Sequence, residues 1–591
     1  MQDTTPPPQS LTRMIAAFVR QHWPAYASAA VMLASIAMLL VWIPRQVGQV
    51  VDGLVAAKFR DGGLLLQLSL LLGAGAAVYL LRVMWRLRLF GASYQLGQQL
   101  RTRLYARLTL QGPVFFQSKR TGDLMALATN DTDAIEMAAG DALLAGFDGT
   151  LTLILVLTMM TLGVDWRLGL AALIPFPLMA LSFWWISNHV HEAWQSSLTR
   201  FSSLNQHVQE GLAGVRTLRA LGQIDRNAHQ FDALAGSAAE ASYGAQRWEA
   251  AYEPAVGMTL GAATAIALGL GGYLVAIDEL SIGQLTSFTM YLGQLIWPMF
   301  AAGWVLSLIE RGRAAWARLQ PALDEPLCLH DEGVSDMPER ATLHFEQLAF
   351  TYPGATNAAL DGVDLTLAPG RVLGLVGPTG AGKSTVLRLL LRQFEPASGG
   401  IRIGALPLTD IRLAALRHGI AWVPQEPFLF SASIAENIAL ARPGATRKQI
   451  EEAARLAAID TDIRRLPQGY DTEVGEHGIT LSGGQRQRVA IARALLSEAP
   501  VLLLDDALSA VDTGTESQIL AHLRELRARQ PGRSCIIVSH RLSAVMEADE
   551  IAVLKAGHIT ERGSHTELVD AGHWYAQQWR YQQIEASLDA A

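Results

Sequence analysis

Six apolar segments of about 20 residues or more constrain the fold of this chain more than any other sequence feature. A helix of that length rises about 30 Å, which is the thickness of the hydrocarbon core of a bilayer. The composition agrees, because half of the 591 residues are hydrophobic and only 17% are charged. We therefore predict six membrane-spanning helices, near Tyr26–Val47, Gly63–Met84, Leu144–Val164, Leu168–Asn188, Ala255–Ile277 and Thr286–Leu308.

The basic residues of the first half are concentrated on one side of these spans. The short connections Asp52–Gly62, Asp165–Arg167 and Asp278–Gln284 carry little or no positive excess. Because positive residues favour the cytoplasmic side, both termini and the two long connections are expected there. The residues that carry this argument are Arg86, Arg88, Arg101, Arg103, Arg107, Lys119, Arg120, Arg200, Arg216, Arg219, Arg226, Arg247, Arg311, Arg313 and Arg318.

The segments outside the spans are also expected to be helical. The long connections would continue the spans beyond the bilayer, with short helices at their tips near Gly122–Met125 and Val215–Leu221. The segment Leu11–Tyr26 has apolar residues at helical spacing with arginines between them. That pattern is typical of an amphipathic helix, lying either at the membrane surface or at an ordinary protein surface.

The predicted spans contain few candidates for substrate contacts. Glu253, near the cytosolic entry to the fifth span, would attract a cationic substrate or form a structural ion pair. A row of residues on the sixth span would either line a cavity or pack against neighbouring helices. These residues are Tyr291, Gln294, Trp297, Phe300 and Trp304.

The second half of the chain contains a phosphate-binding loop. After an acidic, proline-containing linker, the apolar strand Val372–Val376 leads into a loop that fits G-x-x-x-x-G-K-[ST] and then into a helix. Such a loop points backbone N–H groups and a helix N-terminus at an anion. Lys383 would reach the β- and γ-phosphates of a nucleoside triphosphate, and the Ser384 hydroxyl would hold Mg²⁺. The predicted loop residues are Gly377, Pro378, Thr379, Gly380, Ala381, Gly382, Lys383, Ser384 and Thr385.

Other segments place polar residues where they would meet this loop. The apolar strands Val501–Asp505 and Cys535–His540 would end at the same crevice, where Asp505 would hold Mg²⁺ through water. Tyr352, at the end of an earlier strand, would stack on adenine or is an ordinary edge tyrosine. Leu481–Gln485 is a second glycine-rich helix start. Two anion sites in one chain suggest that each nucleotide is held between two chains.

This set of motifs resembles the ABC transporters, specifically the exporter-type half-transporters. Gly377–Ser384 is similar to the Walker A loop, Val501–Asp505 to the Walker B strand and Leu481–Gln485 to the signature motif. The further matches are Gln425 to the Q-loop, Ser509–Asp512 to the D-loop, His540 to the switch histidine and Thr472–Glu476 to an exporter-specific segment.

The resemblance implies an all-α six-helix transmembrane domain followed by an α/β P-loop nucleotide-binding domain. Residues 1–320 would form the first domain, 321–341 a linker and 342–591 the second domain. ATP and Mg²⁺ would be the cofactors, and ATP hydrolysis would drive transport. Two of these chains, or this chain and a second half-transporter, would form the working unit in a lipid bilayer.

The resemblance also assigns roles to single residues. Ser384, Gln425 and Asp505 would bind the metal, and His540 would contact the γ-phosphate. Gln425 would also relay changes at the metal to the membrane helices. The tips at Gly122–Met125 and Val215–Leu221 would be coupling helices. Ser482, Gly483, Gly484 and Gln485 would close over ATP held by the partner chain.

One residue departs from the family pattern. The residue after Asp505 is usually a glutamate that positions the attacking water, and here it is Asp506. This carboxylate is one methylene shorter, which shortens its reach by about 1.5 Å, and a general base must lie within about 2.6–3.2 Å of its proton. The site built on this phosphate loop is therefore expected to be slow. That pattern resembles heterodimeric bacterial exporters with one degenerate site, although a homodimer remains an alternative.

Together these features predict a transporter of amphipathic, drug- or lipid-like small molecules across the bacterial inner membrane. An ATP-gated channel or regulator, and an exporter of lipids, peptides or metal chelates, remain alternatives. The six apolar spans exclude a soluble ATPase of DNA repair or translation. The net charge of −7 gives no basic excess for nucleic acid. Cys328 and Cys535 have no paired spacing and are expected to be reduced thiols.

Overall fold

The protein is described by a computed structural model, which covers residues 10–57, 63–329, 331–475 and 481–589. Its contacts divide the chain into two compact units. The first comprises the chain up to Leu108 together with Gly122–Glu325, and the second comprises Thr109–Thr121 together with the chain from Pro326 onward. The first is called the membrane unit below, and the second the ATPase unit.

The membrane unit is helical throughout, apart from its turns. Among the described residues, six stretches are long and apolar enough to cross a membrane. Five of them contain a predicted span completely, and the sixth, Ile224–Ala276, ends one residue before the end of the predicted span Ala255–Ile277, so the prediction of six spans is confirmed. The helices before the first strand are α1 (Leu11–Gln21), α2 (Trp23–Val55), α3 (Gly63–Leu110), α4 (Pro113–Ser118), α5 (Thr121–Ala126), α6 (Thr132–Met137), α7 (Leu143–Thr158), α8 (Trp166–Leu173), α9 (Phe176–Ala213), α10 (Val215–Ala220), α11 (Ile224–Ala250), α12 (Tyr252–Ala276), α13 (Ile282–Gln294) and α14 (Ile296–Asp324). Of these, α4 belongs to the ATPase unit. π-helical turns at Leu127–Asp131, Ala138–Ala142 and Met159–Val164 interrupt the third of these stretches.

Small residues bring α2 and α13 into close contact. A Cβ atom on either Gly48 or Gly283 would clash with the backbone of the other. Glycine is what allows two membrane helices to approach this closely. The end of the pair is fixed by Asp52, whose carboxylate accepts hydrogen bonds from the Ser281 hydroxyl at 2.6 Å and from the Gly283 N–H at 2.7 Å.

The amphipathic N-terminal segment forms a shorter helix than predicted. Helix α1 ends at Gln21, and α2 begins at Trp23 with Pro24 in its first turn, a position that suits proline. Leu11, Met14 and Phe18 lie on the buried face of α1. The helical prediction is confirmed to Gln21, and the location of α1 at a membrane surface stays a prediction.

The ATPase unit is an α/β structure with two main sheets. Its strands are β1 (Leu343–Phe350), β2 (Leu360–Leu367), β3 (Val372–Val376), β4 (Ser398–Ile403), β5 (Leu406–Pro407), β6 (Ile420–Val423), β7 (Ala432–Ser433), β8 (Glu473–Val474), β9 (Val501–Asp505), β10 (Ser534–Val538), β11 (Glu550–Lys555) and β12 (His558–Gly563). Its helices after α4 are α15 (Lys383–Leu390), α16 (Leu413–Gly419), α17 (Ile434–Ala439), α18 (Arg447–Leu456), α19 (Asp460–Arg464), α20 (Gly483–Leu496), α21 (Thr513–Arg529), α22 (His565–Ala571) and α23 (Trp574–Asp589).

The larger sheet brings the predicted site segments together. Its strand order is β12-β11-β3-β10-β9-β6, and all strands except β12 are parallel. Val538 on β10 is paired with Asp505 on β9 and with Leu375 on β3. The carboxyl ends of these three neighbouring strands therefore lie side by side, where ligands bind in open α/β sheets. The smaller sheet, β2-β1-β4-β5, is antiparallel.

One segment of the first long connection belongs to the ATPase unit. Thr109–Thr121 groups with that unit, whereas Gly122–Met125 groups with the membrane unit. Within the first segment Phe115 is buried and Val114 packs against the apolar core beneath the smaller sheet. The apolar residues of α4 explain why this segment packs into the ATPase unit, because apolar side chains are stabilised by burial.

Candidate functional site

The phosphate loop is shaped by glycines that no other residue can replace without strain. Gly377 and Gly382 have φ values of +144° and +101°. A Cβ atom at Gly377 would clash with the Leu554 carbonyl oxygen, and one at Gly382 with the Ala359 carbonyl oxygen. The tip of the loop, Pro378–Gly380, is exposed. The loop is thus a preformed backbone cradle whose open side faces away from the sheet.

Lys383 lies inside this cradle. It is the first residue of α15, it is 5% exposed, and its ammonium donates hydrogen bonds of 2.9 Å to the carbonyl oxygens of Gly377 and Pro378. Burial lowers the pKa of Lys383, and the nearby Asp506 and Asp505 carboxylates act in the opposite direction. The loop backbone therefore holds a buried cation at the position where an anion would approach.

Ser384 and Asp505 lie in direct contact across the cradle. The Ser384 hydroxyl donates a hydrogen bond of 2.7 Å to a carboxylate oxygen of Asp505 at the end of β9. Burial raises the pKa of Asp505, an effect that this hydrogen bond partly offsets. A hydroxyl and a carboxylate side by side are the oxygen donors that Mg²⁺ prefers.

Asp506 adopts a left-handed conformation, with φ of +50°. Its N–H donates to the Val538 carbonyl at 2.9 Å, and its own carbonyl accepts hydrogen bonds from Ser509 Oγ at 2.8 Å and Gln487 Nε2 at 3.1 Å. Its side chain accepts a long hydrogen bond of 3.5 Å from the His540 N–H. The main chain of Asp506 is fixed on both sides, so the length of its side chain alone decides how far the carboxylate reaches.

His540 follows β10, at the same edge of the sheet as the phosphate loop. Partial burial and the Lys383 ammonium both lower the pKa of its imidazole. The Gln582 amide donates to the His540 carbonyl at 2.8 Å and accepts from the Leu542 N–H at 2.9 Å. The loop that carries His540 is therefore held by α23, a contact that the sequence did not predict.

Tyr352 is packed in an aromatic cluster beside the phosphate loop. Its ring meets those of Phe350 and Phe394 edge-on, at centroid distances of 4.9 and 5.3 Å. Its hydroxyl lies 3.1 Å from the Thr385 hydroxyl and accepts a hydrogen bond of 3.3 Å from Arg388. The structure thus places Tyr352 next to the loop, while adenine stacking stays a prediction.

The signature residues begin helix α20. The Ser482 hydroxyl accepts from the Gln485 N–H at 3.2 Å, and the Gln485 side chain accepts from the Ser482 N–H at 3.0 Å, which is a capping box. Gln485 therefore has a structural role in starting the helix. A Cβ atom at Gly484 would lie 2.7 Å from the Ala510 carbonyl oxygen, whereas one at Gly483 would meet open space.

Gln425 lies two residues beyond β6, next to the end of β9 in the sheet. Its side chain is exposed, and no hydrogen bond to it is found within the described ranges. The structure thus places Gln425 at the edge of the sheet that carries Asp505, without assigning it a contact. Glu476 of the predicted exporter-specific segment lies outside the described residues.

Two buried side chains that the sequence analysis missed connect these segments. Gln487, 1% exposed, donates to the Asp506 carbonyl at 3.1 Å and accepts from the Ala510 N–H at 3.3 Å. Glu516, 3% exposed, accepts hydrogen bonds from Arg541 at 2.9 Å and Ser543 at 2.8 Å. In the sequence, each of these two residues is only a polar residue within a helix. That signal is too weak to identify its partner.

One polar contact of the membrane unit that the sequence analysis missed involves a candidate cavity residue. Trp297, one of the predicted cavity residues, donates an indole hydrogen bond of 3.1 Å to the Asp148 carboxylate on α7. Asp148 lies within the predicted third span. Of the other candidates, Tyr291 is fully buried and donates to the Val41 carbonyl at 2.7 Å, so it packs rather than lines a cavity. Glu253 is exposed at the start of α12.

Comparisons with known proteins agree with this architecture. A family model described as the ABC transporter transmembrane region matches residues 28–299, and one described as ABC transporter matches residues 360–509. The chain is 45% identical to "Multidrug resistance-like ATP-binding protein MdlA" of Escherichia coli (strain K12), over 97% of each chain. It is 36% identical to "Probable multidrug resistance ABC transporter ATP-binding/permease protein YheI" of Bacillus subtilis (strain 168), over 97% of this chain and 98% of that protein.

A solved structure is similar over nearly the whole chain. "Structure of a bacterial Atm1-family ABC exporter with ATP bound" superposes with a TM-score of 0.76 and 27% identity, covering 96% of this chain and 99% of that one. The predicted fold is confirmed: a six-span helical membrane region precedes a nucleotide-binding domain. The chain is a multi-pass membrane protein that binds ATP, couples its hydrolysis to export and acts as a dimer. It belongs to the ABC transporter family, as an exporter half-transporter with both domains in one chain.

Proposed function

We propose that this chain is the slow-site subunit of a heterodimeric exporter of amphipathic small molecules. The observation that carries the proposal is Asp506, which stands where a glutamate would act as the base. The names of these two relatives, both of which contain the words "multidrug resistance", support an amphipathic, drug-like substrate. The lipid bilayer is the medium from which such a substrate would be taken.

The phosphate loop residues Gly377–Thr385 are proposed to bind the triphosphate of ATP. The glycine cradle fits that role, because Gly377 and Gly382 adopt backbone conformations that a Cβ atom would obstruct, and Lys383 supplies the positive charge. Ser384, Asp505 and Gln425 are proposed as ligands of Mg²⁺, the first two supported by their direct contact. When bound, Mg²⁺ would neutralise charge on the phosphates. Tyr352 is proposed to bind the adenine.

The signature residues Ser482–Gln485 are proposed to complete the site of the partner subunit. Gly483 supports this, because the space at its Cβ position is open in this chain. A site completed in this way would use the partner's own Walker loop and the partner's own base. The chain would therefore contribute to fast hydrolysis there, even though its own site is slow.

His540 is proposed to hold the γ-phosphate at this chain's own site. Its lowered pKa supports a neutral imidazole near pH 7, which can donate one ring N–H to a phosphate oxygen. Asp506 is proposed to orient the attacking water less effectively than a glutamate would, because its carboxylate reaches less far. With these assignments, the site on this chain's own phosphate loop would bind ATP and hydrolyse it rarely.

The proposed location is the bacterial inner membrane, with both termini and the ATPase unit in the cytoplasm. The arginine-rich long connections support this orientation. The short connections at Asp165 and Ser281 would face the opposite side. No nucleic acid is expected among the partners, since the chain has no basic excess.

The proposal is tested by transport into inverted membrane vesicles that contain this chain and its candidate partner. ATP-dependent uptake of an amphipathic dye should be lost when both subunits lose the Walker lysine, which is Lys383→Ala in this chain. Lys448→Ala, an exposed lysine on α18, is the matched control and should transport normally. Passive dye flux triggered by ATP binding alone would instead favour a channel.

The subunit composition is tested by purification. A second half-transporter with glutamate after its Walker B aspartate should co-purify with this chain. If the chain alone formed a dimer that hydrolysed ATP at ordinary rates, and Asp506→Asn abolished that activity, the slow-site assignment would be wrong.

A further inference from the structure

Asp148 is an ionisable residue placed well inside a membrane span. It lies 17 residues before the turn at Asp165, which corresponds to about 25 Å along a helix. Trp297 lies 16 residues after Ser281, the cap of α13, at about 24 Å from the same end of the unit. The two side chains are therefore at the same depth, near the far end of a hydrocarbon core of about 30 Å. An ionisable side chain at such a depth costs free energy, and it is typically retained for function.

Close helix packing holds Asp148 beside Trp297. A Cβ atom at Gly149 would lie 3.2 Å from Ala301 Cβ, and one at Gly146 would lie 3.7 Å from Val305. These glycines let α7 approach α14 along the stretch that carries both side chains. The Trp297 indole then donates its hydrogen bond of 3.1 Å to one carboxylate oxygen of Asp148. The indole N–H orients the carboxylate of Asp148 but does not neutralise its negative charge.

Arg82 on α3 is a basic residue whose charge acts on this carboxylate. Arg82 is exposed, and no ion pair joins it to Asp148 within the described ranges. The attraction is therefore long-range and leaves the second carboxylate oxygen free to face another positive group. A structural salt bridge would instead bring the guanidinium into contact with the carboxylate.

Aromatic rings extend from Asp148 along one side of α14. Trp297, Phe300 and Trp304 are 48%, 42% and 42% exposed, and the rings of Trp297 and Trp304 lie 6.5 Å apart. Phe183 on α9 meets Phe300 at 6.2 Å and Tyr252 at 5.0 Å. Aromatic faces attract cations, most strongly where water is excluded. A carboxylate next to accessible rings at membrane depth therefore favours a positively charged, apolar ligand.

We propose that Asp148 and Trp297 form a binding site for organic cations whose charge is delocalised over apolar rings. The inference rests on the proposed function, because the ligand would be a transported substrate. It narrows that function, since neutral and anionic amphiphiles gain nothing from the carboxylate. It also differs from the expectation for Glu253, which is exposed at the start of α12.

The test measures binding of tetraphenylphosphonium to the full chain in nanodiscs of zwitterionic lipid, without ATP. Asp148→Asn should weaken the affinity about tenfold, the loss expected for one desolvated cation contact. Binding of triphenylphosphine oxide, a neutral compound with similar rings, should not change. Arg82→Gln should tighten binding of the cation, because it removes a competing positive charge.

Two control variants make the result specific. Asp141→Asn removes a carboxylate two turns away on the same continuous helical stretch, and Glu253→Gln removes the acidic residue at the start of α12. Both should bind tetraphenylphosphonium as the unaltered chain does. An equal loss of both probes in Asp148→Asn would mean that Asp148 only supports the fold. No loss of the cation, or no binding of the cation to the unaltered chain, would also overturn the proposal.

Transport separates this inference from the proposed function. If ATP drives uptake of the neutral probe and Asp148→Asn carries the cation at the unaltered rate, the cation site is wrong and the exporter remains. If the cation binds as predicted while ATP drives uptake of neither probe, the proposed function is wrong and the site remains.

Discussion

The Gln582 side chain makes a bidentate contact with the loop that carries His540. Its amide nitrogen donates to the His540 carbonyl at 2.8 Å, and its amide oxygen accepts from the Leu542 N–H at 2.9 Å. The two residues are 42 positions apart, so the contact joins α23 to the carboxyl end of β10. The position of the proposed γ-phosphate contact thus depends on a helix outside the known motifs.

We predict that Gln582→Ala slows ATP hydrolysis without weakening ATP binding. The His540 loop would lose two hydrogen bonds, each worth about 1 kcal/mol, and would no longer hold the imidazole in place. In a dimer whose partner site is inactivated at its own Walker lysine, the maximal rate at this chain's site should fall about tenfold, while the KM for ATP changes little. Gln582→Glu should behave similarly, because a carboxylate cannot donate to the His540 carbonyl.

The neighbouring Gln583 provides the control for that experiment. It is exposed, and Gln583→Ala should leave the rate unchanged. A rise in KM with an unchanged maximal rate in Gln582→Ala would contradict a positioning role. A fall in melting temperature large enough to explain the lost activity would show that the contact is only structural.

Alanine substitutions at the two glycines of the signature motif are predicted to have different effects. In Gly484→Ala the new Cβ would lie 2.7 Å from the Ala510 carbonyl, so the backbone must shift, at a cost of about 1–3 kcal/mol. In Gly483→Ala the new Cβ meets open space in this chain, and alanine suits a helix better than glycine.

Thermal unfolding and ATP hydrolysis separate these two effects. Gly484→Ala should lower the melting temperature of the nucleotide-free chain, whereas Gly483→Ala should not. Gly483→Ala should nevertheless reduce hydrolysis by the assembled dimer, because its methyl group would obstruct the partner's nucleotide. Normal hydrolysis by Gly483→Ala would argue against a site shared between the two chains.

Local patterns in the sequence predicted the features that depend on adjacent residues. The spans follow from continuous apolar segments, and β3, β9 and β10 follow from short apolar runs that end in polar residues. The parallel arrangement then places Lys383, Asp505 and His540 at one edge of the sheet. A sequence-based argument could reach these conclusions because each motif carries its own strand, loop or helix.

Contacts between distant segments could not be predicted in this way. The Trp297–Asp148 hydrogen bond joins residues 149 positions apart, and it depends on how closely α7 and α14 pack. The same holds for Gln487, whose two hydrogen bonds reach the loop after β9. A single glutamine or aspartate in an apolar segment shows that a partner must exist, but packing determines which partner it is.

The two cysteines are predicted to differ sharply in reactivity. Cys535 is half-buried, and desolvation of its thiol raises the pKa of Cys535 to about 12, so almost none of this thiol is ionised at pH 7.5 or below. The thiolate is the reactive form. Cys328 is exposed. Maleimide at pH 7 should therefore modify Cys328 within minutes and leave Cys535 unmodified in the folded chain.

Mass spectrometry of the labelled chain would check this prediction, with the urea-unfolded chain as the control in which both thiols react. Labelling of Cys535 should increase as the pH rises, because the thiolate fraction grows tenfold for each pH unit below the pKa. Rapid modification of Cys535 at pH 7 in the folded chain would show that desolvation does not keep its thiol in the neutral form.

The main chain of Asp506 is fixed by hydrogen bonds to Val538, Ser509 and Gln487. Because this backbone cannot move forward, lengthening the side chain is the direct way to extend the carboxylate. Asp506→Glu should raise the rate of ATP hydrolysis at this chain's own site at least about tenfold, since a well-placed general base contributes about 10²–10⁴-fold.

The measurement is steady-state ATP hydrolysis by a dimer whose partner site is inactivated at its own Walker lysine. Asp506→Asn is the control, and it should lose little, because the aspartate contributes little to begin with. If Asp506→Glu were no faster, the left-handed backbone at this position would be the cause of the slow site rather than the shorter side chain.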